Sequence, residues 1–420
     1  MGIYKLEHLL DDVIDYRGKT PKKLNGKWAK EGYRTISAMN VKKGMLVKKK
    51  SIRYVNEDIY NKWMKKEVEK NDILLTSEAP LGEVMLWDSN EKIVLGQRLF
   101  CLKVNEDLVY PKFLYALMQT ELFYKKLIQK QSGTTVFGIR QPQLLKIRIN
   151  LPEMKKQIDI GDKYYNLELK NKNNNVELDS LIDYEKFLFH KWFVKFNFPN
   201  ENGDPYQENN GEFKEIENRS IPKKWEIDKL SNHISYEKGV SYRSQDLSED
   251  EGTPMINLKS FTRNGEYNPK GIKYYNNNIK PKKKLEPFSL AVACTDVTNN
   301  EDIIGSAIII PNMYPEKKHY CVSMDLASVD INSKEINKWY IKSLLSQKIF
   351  NKRAVNFSNG TNVLHLDIDR YFDTKVVIPD KKVLRKYTKI VSKIEKKKSL
   401  IYRENEILKE MRELLIHKLI

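Results

Sequence analysis

The chain has 420 residues and 40% hydrophobic content, enough for about two to four ordinary cores. Its three cysteines (Cys101, Cys294, Cys321) form no CxxC pair and keep no regular spacing, which argues against a disulfide framework or a zinc knuckle and for free buried thiols in a reducing compartment. Seventy-four Lys and Arg stand against 56 Asp and Glu, and the net charge of +18 is spread over short clusters such as Lys48-Lys49-Lys50 and Lys396-Lys397-Lys398; a polyanionic partner is expected, and a merely solvated basic surface is the bland alternative.

In chain order, apolar or alternating runs bounded by Gly, Asn and Asp predict strands at residues 33–38, 72–76, 83–87, 98–104 and 146–151. Residues 111–130 open on a proline and carry Phe113, Leu117 and Leu127 on a helical period, which predicts one helix. Beyond Glu153 a seven-residue column contains Ile160, Leu167, Leu181 and Leu188, with Asn174 in the same column. Asn174 lies inside Asn173-Asn174-Asn175, where a buried amide fixing register and an interrupted helix are both open readings. Residues 196–220 are polar, contain Gly203, Pro205 and Gly211, and read as a linker. Strands follow at 254–258, 289–293, 304–310, 324–331 and 374–378, with a helix at 335–355. A second heptad column then runs through Tyr387, Ile394, Ile401, Leu408 and Leu415, supported by Ile390, Met411 and Leu414. Each seam is about 40 residues long, on the order of 60 Å if unbroken.

The two halves are copies. Tyr110 to Phe123 match Asn337 to Phe350 at an offset of 227 that holds to the end of the chain, and Leu9, Gly18 and Gly44 pair with Leu230, Gly239 and Gly265 at an offset of 221. Six extra residues therefore accumulate between Gly265 and Leu326. Residues 153–193 carry seven Lys against eight acids, net −1, whereas residues 380–420 carry thirteen Lys and Arg against six, net +7. Helices of opposite charge and equal length are suited to pack on one another. The expected fold is α+β: two pseudo-symmetric mixed domains, 1–150 and 221–378, joined by two long helices, 151–195 and 379–420, that form an antiparallel coiled coil, with 196–220 as linker. Such a pairing would put the domains at opposite ends of a rod.

Catalytic patterns are missing. An amino-methyltransferase needs an FxGxG-type loop and an Asn/Asp-Pro-Pro-aromatic motif; Gly203-Asp204-Pro205-Tyr206 lacks the second proline and reads as a turn. No GxxxxGKS/T loop occurs, and the six histidines show no HExxH spacing. His319 and Cys321 are two apart, but a metal there is the weaker reading, and His190 and His417 fit packing or capping near helix ends. No segment has the roughly 18 consecutive apolar residues of a membrane span, and the N-terminus lacks an apolar signal core. A cytoplasmic, non-catalytic protein that does not enter a membrane is expected.

These features carry a resemblance. Asp72-Ile73-Leu74-Leu75-Thr76, Ser-Gly-Thr-Thr from Ser132, a strand ending Leu151-Pro152, a helix opening Glu153-Met154-Lys155-Lys156-Gln157 and the linker near Asp204, all within a duplicated chain, resemble the specificity subunit of type I restriction-modification systems. The second helix departs, with no Gln at the position matching Gln157. The resemblance implies two target recognition domains, each binding half of a bipartite asymmetric site in double-stranded DNA. It implies docking of two methyltransferase subunits and, in the full enzyme, two restriction subunits, with S-adenosylmethionine, ATP and Mg2+ belonging to those partners. Bidentate and phosphate-contacting chemistry nominates Lys48, Lys49, Lys50, Arg53, Thr134, Thr135, Arg140 and Gln141 in the first domain. In the second it nominates Arg243, Lys259, Arg263, Asn264, Lys282, Lys283, Lys284, Thr361 and Asn362. The competing class is an RNA-binding or nucleic-acid scaffolding protein without a methyltransferase; the scarcity of RNP-type aromatic-basic strings argues mildly against it.

Overall fold

The computed structural model of the protein describes residues 2–42, 44–131, 137–248, 250–298 and 300–417. It divides into two compact units, Met1–Lys172 with Ile407–Ile420, and Asn173–Glu406. Each unit takes residues from both long helices.

The first unit is built on a four-stranded antiparallel sheet in the order Leu10–Asp15, Leu99–Val104, Ile73–Thr76, Val84–Leu86. Its inner strands are apolar and buried over Leu99–Leu102 and Ile73–Leu75 because both faces are covered there. Phe100, Leu102 and Val104 join Ile73 and Leu75 in one core, while Leu99, Cys101 and Leu74 join another. A period of two thus sorts one run into two cores. The first core is closed by Phe113, Leu114, Phe123 and Leu127 from the helical segment, and the second by Ile59, Tyr60 and Trp63 from the helix Glu57–Trp63. A smaller sheet, Arg53–Val55, Tyr33–Ile36, Ile93–Leu95, contains a parallel pairing of its last two strands.

The second unit repeats this plan: Ile234–Lys238, Leu326–Ile331, Leu290–Ala293, Ala307–Ile309. Leu290, Val292, Ala327 and Val329 enter one core, and Ala291, Ala293 and Leu326 the other. Thr253–Ile256 pairs in parallel with Cys321–Val322, as Tyr33–Ile36 does with Ile93–Leu95. All three cysteines are buried and free. Strand register locates the length differences between the copies. Leu102 pairs with Ile73 and Ile73 with Leu86, where Val329 pairs with Leu290 and Leu290 with Ile309. The connection after the strand Ile73–Thr76, and the one after Val84–Leu86, are therefore both longer in the second copy, and the one before is shorter.

The single helix expected at 111–130 is two, Pro111–Met118 and Glu121–Gln129. Thr120 breaks it: its hydroxyl donates to the Leu117 carbonyl at 2.7 Å and accepts the Phe123 N–H at 3.0 Å, an N-cap in mid-segment. The expected helix at 335–355 breaks at the equivalent place, into Lys338–Leu345 and Lys348–Asn356.

The first long helix, Met154–Phe189, runs through the asparagine triplet and ends in a π-helical turn, His190–Val194; the second is Lys381–His417. Within the second unit, the buried Asn174 amide donates to Glu404 at 2.8 Å and Asn405 at 2.9 Å, while the Phe189 ring lies 6.4 Å from that of Tyr387. Partner numbers fall as the chain rises, so the helices there run antiparallel. Within the first unit, Leu415 and Ile416 pack on the core that holds Ile160 and Tyr164. The heptad columns are buried at Ile160, Asn174, Leu188, Tyr387, Ile394, Ile401 and Leu408. Met411 and Leu414, expected to support the seam, are instead 46% and 64% exposed. Residues 196–220 hold more structure than a plain linker: Phe198 stacks between Tyr206 and Trp225, and Phe213–Ile216 pairs with Arg219–Pro222. Glu217 and Asn218 turn that hairpin with left-handed backbone.

Candidate nucleic-acid interface

In the first unit, Lys48, Lys49 and Lys50 are exposed on a short helical turn leading into the strand Arg53–Val55. Lys48 has a left-handed backbone (φ 49°), and its carbonyl accepts the Ser51 hydroxyl at 2.8 Å, which fixes the turn. None of the three forms an ion pair with another described residue. Arg53 is also exposed, and its guanidinium lies 4.0 Å over the ring of Trp28, itself 36% exposed. A guanidinium held over an indole is preorganised for a phosphate or base edge. Composition gave no signal for Trp28, which lies 25 residues upstream of Arg53 and reaches it through the pairing of Ala29 with Tyr54. Arg140 is exposed at the start of the short helix Gln141–Leu144, with Gln141 half-buried as its first residue. Thr134 and Thr135, in the stretch 132–136, lie outside the described residues, as do Lys43 and residues 418–420.

In the second unit, Arg263 and Asn264 form the exposed tip of a turn closed by Thr262 and Glu266, where the Thr262 N–H donates to the Glu266 carbonyl at 2.7 Å. Gly265 completes that turn with φ 72°. The copy offset matches this tip to Lys42 and Gly44, so a basic tip before a left-handed glycine occurs in both copies. Lys259 is exposed on a turn set by Asn257, and Arg243 is exposed where its N–H donates to Asp246 at 2.7 Å. Thr361 and Asn362 are exposed at the tip of the hairpin joining Ser358–Asn359 to Leu364–Leu366. Lys284 is exposed as well, but Lys282 and Lys283 are engaged. Lys282 bonds Glu237 at 2.9 Å and Lys283 donates to the Gly239 carbonyl at 2.7 Å. The Lys282 hydrogen bond holds the Glu237 carboxyl below its ordinary pKa. These two lysines anchor their loop to the strand Ile234–Lys238.

Sequence reasoning also missed an apolar feature of the long helices. Tyr184 and Phe187 are 48% and 58% exposed, and the offset of 227 places them on Met411 and Leu414. The same exposed pair therefore occurs twice, once in each unit. Among the described residues no helix is long and apolar enough to cross a membrane.

Residues 7–183 match the family profile described as the type I restriction modification DNA specificity domain. The MjaIX specificity subunit of a type I restriction enzyme from Methanocaldococcus jannaschii is 23% identical over 364 residues, covering 84% of this chain and 77% of that one. The putative MjaX specificity subunit of the same organism is 25% identical over 284 residues, 65% of this chain and 59% of that one. Among solved structures, the S subunit of a type I restriction-modification system from M. genitalium matches with a TM-score of 0.66 at 15% identity, covering 100% of this chain and 95% of that one. That last likeness is one of fold.

Proposed function

We propose that this chain is a specificity subunit of a type I restriction-modification system, as its match to the family profile and its likeness to such subunits support, and that its two domains, 1–150 and 221–378, each bind one half of a bipartite DNA site. The long helices set the spacing between the halves and dock two methyltransferase subunits. In the complete enzyme two restriction subunits join them, and S-adenosylmethionine, ATP and Mg2+ act in those partners, in the cytoplasm. This chain contributes address and geometry, not bond chemistry.

The observation that carries the reading is a duplicated sheet whose strands keep order and pairing while its connections change length. A conserved scaffold with divergent loops suits two domains that read different sequences. The basic tips at Lys42 and Arg263 and the Lys48 to Arg53 segment supply phosphate-seeking and base-seeking groups. The recurrent exposed pairs, Tyr184 with Phe187 and Met411 with Leu414, favour two copies of one partner over a single one.

The test is selection from a random duplex DNA library in the presence of the methyltransferase partner. Two short conserved blocks separated by an unconserved gap are expected. One contiguous block, no enrichment, or tighter binding of single-stranded RNA would reject the reading.

A further inference from the structure

The two copies differ in charge where a long helix meets the helices Pro111–Met118 and Lys338–Leu345. In the second unit five charged side chains are buried together: Glu185 of the first long helix, Glu395 and Lys398 of the second, Lys342 of the helix Lys338–Leu345, and Glu266 of the Gly265 turn. Lys342 Nζ lies 2.9 Å from Glu185, 3.3 Å from Glu395 and 3.6 Å from Glu266. Lys398 Nζ lies 2.9 Å from Glu395, 3.3 Å from Glu266 and 3.4 Å from Glu185. Ser343 donates a further bond to Glu185 at 3.0 Å.

The offsets give the matching positions in the first unit as Arg412, Glu168, Asn171, Tyr115 and Met45. There Glu168 is buried and accepts bonds from Tyr115 and Gln119, while the half-buried Arg412, which makes no direct ion pair with it, acts on it through charge alone. The first long helix therefore brings an anion to a second half that presents two lysines with two glutamates, and the second brings a cation to a first half that presents a glutamate.

Exchanging the visitors breaks both sites. If the first half paired with another first half, Glu185 would take the place of Arg412 and face Glu168, with neither Lys342 nor Lys398 at hand. If the second half paired with its like, Arg412 would join Lys342 and Lys398 in the interior, three cations against Glu266 and Glu395, while at the rim Glu413 would replace Lys186, which is 42% exposed and lies 3.3 Å from Glu266. Burying unmatched like charges is costly, whereas the observed sets are each nearly balanced.

We propose that these two sets of charges are a pairing code: each half of the chain accepts the long helix of the other half and rejects that of a second copy of itself. The code assigns Glu185 and Arg412 as the discriminating residues, and exchanging their charges should invert it. With Glu185→Arg, a first-half pair regains the Glu168 and arginine set. With Arg412→Glu, a second-half pair regains the set of two lysines and three glutamates.

The experiment uses the whole chain with a protease site inserted after Asn209, in an exposed stretch between the halves. The folded protein is cleaved, unfolded in urea, refolded by dilution, and its pairs are weighed by native mass spectrometry. Wild type should return mixed pairs in at least tenfold excess over like pairs. Glu185→Arg should add pairs of the first piece, Arg412→Glu pairs of the second, and the double variant should make like pairs predominate. Circular dichroism of the refolded pieces separates altered choice from failure to fold. Random or absent mixed pairing in wild type, or folded single and double variants that keep the mixed preference, overturns the proposal.

Discussion

Backbone amides at a helix start need acceptors, and the two copies supply them from different places. In the first, the Gln157 carbonyl oxygen accepts the Tyr110 N–H at 3.0 Å, and its amide donates to the Pro152 carbonyl at 2.9 Å. The second copy has Leu384 at the Gln157 position, and there Asn337 does the work, accepting the Trp339 and Tyr340 N–H groups at 3.1 Å and donating to Thr388 at 2.8 Å. Gln157→Leu should cost about 1–3 kcal/mol, and Asn337→Ala about 1 kcal/mol, both read as urea midpoints. The missing glutamine was legible in the sequence as a departure from the motif; its replacement was not, because Asn337 and Thr388 are 51 residues apart. The buried ionic cluster gives a prediction with a pH sign. Against the burial that raises it, Lys342 and then Lys398 hold the Glu185 carboxyl well below its ordinary 4.5, and Glu266 is lowered by the same two lysines. Groups lowered on folding stabilise at pH above their ordinary value and lose that contribution as pH falls below it. Lys342→Met strands carboxylates in the interior and should cost about 3–5 kcal/mol at neutral pH. Its deficit against wild type should shrink as the pH drops below 4.5 in denaturation curves; a deficit that grew on acidification would contradict the assignment.

The strands at the centre of each sheet were legible as elements because their runs are short, apolar and bounded by turn residues, yet which residue served which core was not. Only the pairing of Leu99–Val104 between two neighbours shows that Leu102 and Cys101 point into different cores. Leu102→Ala should therefore cost about 2–5 kcal/mol, whereas Ile3→Ala, 71% exposed on the strand Gly2–Lys5, should stay within about 0.5 kcal/mol. Thermal or urea unfolding of the two variants side by side checks the contrast. Elements were misread where a single side chain overrides periodicity. Thr120 satisfies backbone groups on both sides of itself and splits a pattern that otherwise reads as one helix. Asn174 does the reverse: a poor helix former stays helical because Glu404 and Asn405 accept its amide. Nothing local to either position distinguishes the outcomes. The nominated interface residues share that difficulty, since Lys282 and Lys284 look alike in sequence and only Lys282 bonds Glu237.

For the whole molecule, duplication was the most legible feature, and it constrains function most when a feature recurs where the core does not require it. Tyr184, Phe187, Met411 and Leu414 are exposed at matched positions, so their loss should cost the fold little, within about 0.5 kcal/mol each. If each pair seats one methyltransferase subunit, changing Tyr184 and Phe187 to Asp should lower the complex from two such subunits to one in native mass spectrometry. Changing Met411 and Leu414 should do the same, and changing all four should leave none; unaltered stoichiometry would place docking elsewhere. The helices carry a second expectation that depends on their length alone. Removing seven residues from each keeps every seam residue on its own face, because the columns repeat at seven. It shortens each helix by about 10 Å at 1.5 Å per residue, the rise of roughly three base pairs of duplex. A specificity subunit whose helices set the gap should then select the same two half-sites about three base pairs closer together in the random duplex library. Half-sites that change while the gap stays fixed would assign spacing to the domains and reading to the helices, the reverse of what the fold supports.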